Sequence, residues 1–194
     1  MPLISRDSLL SLEAYEEARE ELRSQAIKQK RLRKVFVGPN VMIQFEDEIT
    51  IRYQIQEMLR AEKTFDREGI QDELEAYIPL IPEGSNWKAT MMIEYVEIEE
   101  RDRKLVELKG IEHKIYVQVA KHPRCYAIAD EDMPRENEEK TSAIHFLRFE
   151  LDNPMIASAK AGEPIALGID LPAYDFRVDE IAPETQASLI KDLN

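Results

Sequence analysis

Cysteine is nearly absent from this chain of 194 residues: there is one, Cys125. A single cysteine excludes an internal disulfide framework, a cysteine-only zinc site and an iron–sulfur cluster held by this chain alone, and it fits a reducing compartment. No run of about 18 apolar residues occurs, so no membrane-spanning helix is expected. The start, MPLISRDSLL, has no basic region followed by an apolar stretch; it reads as mature sequence and predicts a cytoplasmic location. Phosphate-cradling glycine loops, HExxH, Glu-x-x-His, Cys-x-x-Cys and the G-x-S-x-G elbow are all missing. No metal site and no cofactor are predicted. Basic residues are in deficit: 26 against 39 acids, a net charge of -13. Such a surface repels phosphate backbones and anionic membranes, so neither nucleic acid nor membrane is an expected partner.

What is present is a globular composition, 43% hydrophobic and 34% charged. Ten prolines and six glycines are scattered, and none forms a linker, so residues 1–194 read as one domain. Residues about 5–34 form a helical part. Within it Leu12, Tyr15, Ala18, Leu22 and Ala26 make one apolar stripe, with acids crowding the start and bases the end. That charge order suits the helix dipole, which explains the basic cluster without an anion site. KVFVG and VMIQFE read as two strands around Pro39-Asn40. Residues 47–63 are ambiguous. Ile49, Ile51, Tyr53 and Ile55 alternate as in a hairpin, while the rich supply of helix formers and the length favour four helical turns. GIQDELEAYI is a short helix ended by Pro79, TMMIEYV a strand, and IEERDRKLVELKG a polar helix closed by Gly110 at C′. KIYVQV and RCYAIA make a hairpin, and TSAIHFLRFEL the longest strand. Asn153 is read as an N-cap with Pro154 after it, PIALGID as the last strand, and the tail as a final short helix or a partner contact. The expected fold is α+β: a mostly antiparallel sheet of about six to seven strands with helices packed on one face and the N-terminal helical part on the sheet.

Three segments, FEDEITIRYQIQEMLR, LIPEGSNWKATMMIEY and EEKTSAIHFLRFEL, resemble the bacterial family DUF3501, a domain of unknown function, over nearly the whole chain. The resemblance carries over no catalytic residues. Members of that family are often encoded beside a rubrerythrin-like di-iron protein and an iron–sulfur oxidoreductase, which implies a supporting role in redox chemistry. The chain is not itself a rubrerythrin, because the di-iron pattern needs Glu-x-x-His on two helices.

Several side chains could carry chemistry. On a helix, Tyr53, Gln56, Glu57 and Arg60 share one face, as a surface stripe of ion pairs or as a polar pocket. On a strand, Ala143, His145, Leu147 and Phe149 face one way and Ile144, Phe146, Arg148 and Glu150 the other. His145 is then a hydrogen-bonded core histidine or the base of a site, and Arg148 needs a carboxylate, with Glu57 and Glu94 as candidates. Trp87, the single tryptophan, is a core plug or an exposed partner contact. HPRC offers His122 and Cys125, half a metal site at best, and PEGSNWK has one glycine, which makes an ordinary turn a better reading than an anion nest. Three functions are consistent with these residues. The first is a non-enzymatic accessory protein of a redox partner, touching it through Trp87. The second is a small-anion binder or enzyme with a pocket of Tyr53, Gln56, Arg60, His145 and Arg148. The third is a homodimer formed through a sheet edge or the tail.

Overall fold

The computed structural model describes residues 4–135, 137 and 139–194. Glu138, the first residue of the third family-like segment, and Glu136 in the acidic loop lie outside the described residues.

Helix α1 spans Leu12–Leu32, with the Ser11 hydroxyl accepting the Ala14 N–H at 3.2 Å as its N-cap. Strands β1 (Lys34–Val37) and β2 (Val41–Phe45) follow as an antiparallel hairpin. The ambiguous stretch is helical: α2 covers Glu48–Glu62. Asp47 decides it. Its carboxylate accepts the Thr50 N–H at 3.0 Å, and the Thr50 hydroxyl accepts the Asp47 N–H at 3.0 Å. This reciprocal cap satisfies two end donors before the alternating isoleucines can pair as a strand. Helix α3 (Arg67–Tyr77) ends in a 3-10 turn, Ile78–Leu80. Strand β3 (Asn86–Ile93) and helix α4 (Ile98–Glu107) lead to Gly110, left-handed at φ 81, two residues past the Leu108 C-cap rather than at C′. A 3-10 turn at Ile111–His113 precedes β4 (Ile115–Val119).

Here the fold departs from a single sheet. RCYAIA is cut at Ala127 into β5 (Cys125–Tyr126), which pairs with β4, and β6 (Ile128–Ala129), which pairs with β7 (Ile144–Glu150). Helix α5 (Asn153–Lys160) starts one residue earlier than expected, because Asp152 rather than Asn153 takes the cap by accepting the Met155 N–H at 2.8 Å. PIALGID is β8 (Ile165–Leu171), and the tail adds β9 (Tyr174–Val178) before α6 (Pro183–Leu189). The described residues thus hold nine strands in two antiparallel sheets, ordered β1-β2-β3-β7-β6 and β5-β4-β8-β9, and six α-helices: an α+β fold.

The inward residues of both sheets, among them Val41, Ile43, Met91 and Leu147 on one side and Val117, Leu167 and Ile169 on the other, join one buried cluster. A second sheet therefore covers the apolar face that helices were expected to cover. The N-terminal helical part also differs from expectation. It packs mainly on α2, and Ile4, Ile51, Ile55, Leu59 and Leu74 form a separate small core. No helix of the described residues is long and apolar enough to cross a membrane.

Candidate functional site

His145 is 0% exposed, and its alternation on β7 puts it beside Leu147 and Phe149 on the inward face. Its Nδ1 lies 2.6 Å from Asp130 Oδ2, and its Nε2 lies 2.9 Å from the Thr141 hydroxyl and 3.0 Å from the Ser142 carbonyl. Glu112, also buried, stands 3.9 Å from Nε2 and accepts from the Thr141 hydroxyl at 3.3 Å. Both ring nitrogens are thus engaged by oxygen partners of the protein. Asp130 sits at φ 52, a left-handed conformation that Asp tolerates, and its second oxygen accepts the Phe146 N–H at 3.0 Å. Asp130, His145 and Thr141 have the order of a nucleophile triad, yet Thr141 and His145 are closed off from solvent. The network ties the loop after β6 to β7. Sequence reasoning missed Asp130, Thr141 and Glu112; the one usable signal was an Asp in a run of turn formers, and pairing across the loop was invisible.

The polar stripe of α2 faces α1. Glu57 accepts from Arg19 Nε at 2.8 Å and Nη2 at 2.9 Å, and from the buried Tyr15 hydroxyl at 2.8 Å. The Arg19 hydrogen bonds, opposed by burial and seconded by Tyr15, hold the Glu57 carboxyl down at about 2. Burial and then Glu57 raise the Tyr15 hydroxyl above its ordinary value. Arg60 pairs with Glu16 at 2.5 Å. The buried Gln56 amide clamps Leu10, accepting its N–H at 2.8 Å and donating to its carbonyl at 3.3 Å. Tyr53 and Gln56 line a cleft of about 290 Å³ between α1 and α2, with Leu10, Leu22 and Ile49.

Arg148 points to the outer face of β7. It forms a bidentate pair with Glu131 (2.8 and 2.7 Å) and reaches Glu150 at 2.6 Å; neither Glu57 nor Glu94 is its partner. The Arg148 bonds hold the Glu131 carboxyl below its usual range. Arg148 and His145 therefore lie on opposite faces of one strand, Arg60 is tied to α1, and the predicted residues do not surround one cavity. Trp87 is 0% exposed, its Nε1 donating to the Leu189 carbonyl at 2.9 Å and its ring edge-on to Phe45; it is a core residue and cannot reach a partner. The Cys125 thiol lies 3.0 Å from the Glu150 carbonyl, and burial, then Glu150 and Asp152, push it up to about 11. His122 bonds Ser158 at 2.9 Å. Among the described residues no group of three His, Cys, Asp or Glu side chains could hold a metal.

Two clefts of about 700 Å³ or more lie among the described residues. One, of about 720 Å³, lies beside Arg33, whose buried guanidinium donates to the Phe45, Glu46 and Ser188 carbonyls and pairs with Asp192. Burial pushes the Asp192 carboxyl up to about 6 while Arg33 pulls it down. The other, of about 700 Å³, opens at the end of the five-stranded sheet between Pro39, Met92, Tyr95, Val96 and Ile144.

The model of the family described as "Protein of unknown function (DUF3501)" matches residues 3–193. No curated protein matches the chain. A crystal structure of a novel protein of unknown function from Burkholderia pseudomallei K96243 is 49% identical to it, with all of each chain covered and a TM-score of 0.95.

Proposed function

The chain belongs to DUF3501, and on that premise we propose that it works by binding rather than by catalysis, as an accessory protein of a redox system. The observation that carries this reading is the state of His145. General acid–base work needs a group within reach of substrate. The one strand histidine is closed to solvent and engaged at both nitrogens. The other chemically able groups, Arg19, Glu57, Arg60 and Arg148, are paired with protein partners. The redox direction rests on the resemblance, which implies that family members are often encoded beside a rubrerythrin-like di-iron protein and an iron–sulfur oxidoreductase. The net charge of -13 favours steered encounter with a basic surface.

Affinity purification of the tagged chain from its native host, with mass spectrometry and metal analysis of the eluate, tests this. Near-stoichiometric recovery of a di-iron or iron–sulfur protein is the expected result. A chain recovered alone and metal-free would sink the stable-partner reading.

A further inference from the structure

The strand register places Phe36, Met42, Met92 and Ile144 opposite one another across β1, β2, β3 and β7. Their neighbours Val37, Val41, Met91 and Ile93 point into the core, so this row lies on the outer face of the sheet. Outer faces of antiparallel sheets are ordinarily polar where water reaches them. Here Phe36 is 54% and Ile144 47% exposed, Met92 is half-buried, and Met42 between them is buried. The row runs into the 700 Å³ cleft, whose wall Val96 is 93% exposed. Exposed apolar side chains gathered at a cleft, here Ile144 and Val96 with Ile98 next in the chain, mark an interaction surface.

The charge around the cleft selects the occupant. Glu94 and Glu100 line it, and Glu97 and Glu99 flank Ile98 at the start of α4. Among the described residues no cation forms an ion pair with Glu94, Glu97 or Glu99, whereas Lys104, further along α4, is already paired with Glu107. Arg101 is the single cation in the lining. Resting on the accessory reading above, we propose that this cleft and its apolar row dock a protein partner through a segment that presents apolar side chains flanked by Lys or Arg. The apolar row supplies burial, and the unpaired carboxylates supply orientation and rejection of acidic surfaces. A second copy of this chain, at -13, is disfavoured as the occupant.

Site-specific photo-crosslinking in the native host tests it, with benzoylphenylalanine at position 96 and, as a control on the helical side, at position 65. The expected result is a crosslink from position 96 to another protein whose crosslinked peptide carries Lys or Arg beside apolar residues. That crosslink should fall about tenfold with the triple charge reversal Glu94→Lys, Glu97→Lys, Glu99→Lys, because juxtaposed like charges reject a partner. All four positions are exposed, so the variants keep the fold. Crosslinks from position 65 only, crosslinks to a second copy of this chain, an adduct insensitive to the reversal, or no adduct would each overturn the proposal. Recovery of a redox partner through position 65 would overturn this cleft while leaving the accessory reading intact. A basic partner unrelated to redox chemistry would do the opposite.

Discussion

Trp87 and Tyr15 are both closed to solvent, yet they are held by different chemistry. Trp87 sits where two sheets meet, edge-on to Phe45, within a cluster that runs from Val35 to Leu193 and needs one polar contact, the Leu189 carbonyl. Tyr15 sits where two helices meet, and its hydroxyl ends on a carboxylate that Arg19 also grips. The sandwich rests mainly on apolar burial, which is non-directional and carries no charge to titrate. The helical unit has few buried apolar residues of its own and leans on a charged seam. The two regions should therefore fail under different conditions.

The largest effects lie where the sandwich is attacked. Trp87→Ala should cost about 3–5 kcal/mol by removing the largest core side chain, and urea denaturation should show one cooperative loss. Retention of the sandwich signal with only local change would break the comparison. Arg33 joins the two regions: it follows α1, grips the β2 end and pairs with Asp192 near the C-terminus. Arg33→Met should cost about 3–5 kcal/mol by stranding a buried carboxylate. Adding Asp192→Leu should return much of that, and an additive double variant would refute the pairing. Gly38→Ala is next. Gly38 has φ +70, and a Cβ there would come within 2.7 Å of the Phe176 ring and the Tyr174 hydroxyl. Strain of this kind costs about 1–3 kcal/mol, so a variant as stable as the parent would mean that β9 does not close over the β1–β2 turn.

The contrast between the regions also governs what was legible in the sequence. Strand periodicity and turn residues marked seven segments that hold eight of the nine strands, and the alternation on β7 put His145 and Arg148 on opposite faces. YDFRV escaped because only Tyr174 is buried; a strand with one wet face and one buried residue has no alternation to read. The second sheet escaped because pairing is a long-range property: nothing in RCYAIA says that its halves join different sheets. In the helical part the stripe of Tyr53, Gln56, Glu57 and Arg60 was correctly placed on one face. Its purpose stayed open between ion pairs and a pocket, because a seam between helices and a ligand pocket share the same polar composition. Trp87 shows a similar limit: the turn residues before it left both a core plug and an exposed contact open to the sequence.

The seam predicts smaller, condition-dependent losses. Glu57→Gln should cost about 1–2 kcal/mol, since hydrogen bonds to a charged acceptor weaken by that order. The sign of the pH effect follows from the depressed carboxyl. Its contribution is present above the ordinary carboxylate value of 4.5 and is lost as pH falls toward about 2. Hydrogen exchange at pH 2.5 should therefore show α1 and α2 amides opening before those of β2 and β3. Equal protection in both regions would mean that the seam contributes little and that the small apolar core suffices.

The smallest effect is expected at Val96, and it separates stability from docking. A valine 93% exposed has almost no burial to lose, so Val96→Asp should leave the thermal midpoint within the change that about 0.5 kcal/mol produces. The same substitution adds a fourth carboxylate beside Glu94, Glu97 and Glu99, which a basic segment tolerates electrostatically but an apolar anchor does not. Partner capture should therefore fall through lost burial while salt dependence steepens. Unchanged capture would mean that the exposed valine is incidental to binding, and a large stability loss would mean that the cleft is already filled by this chain.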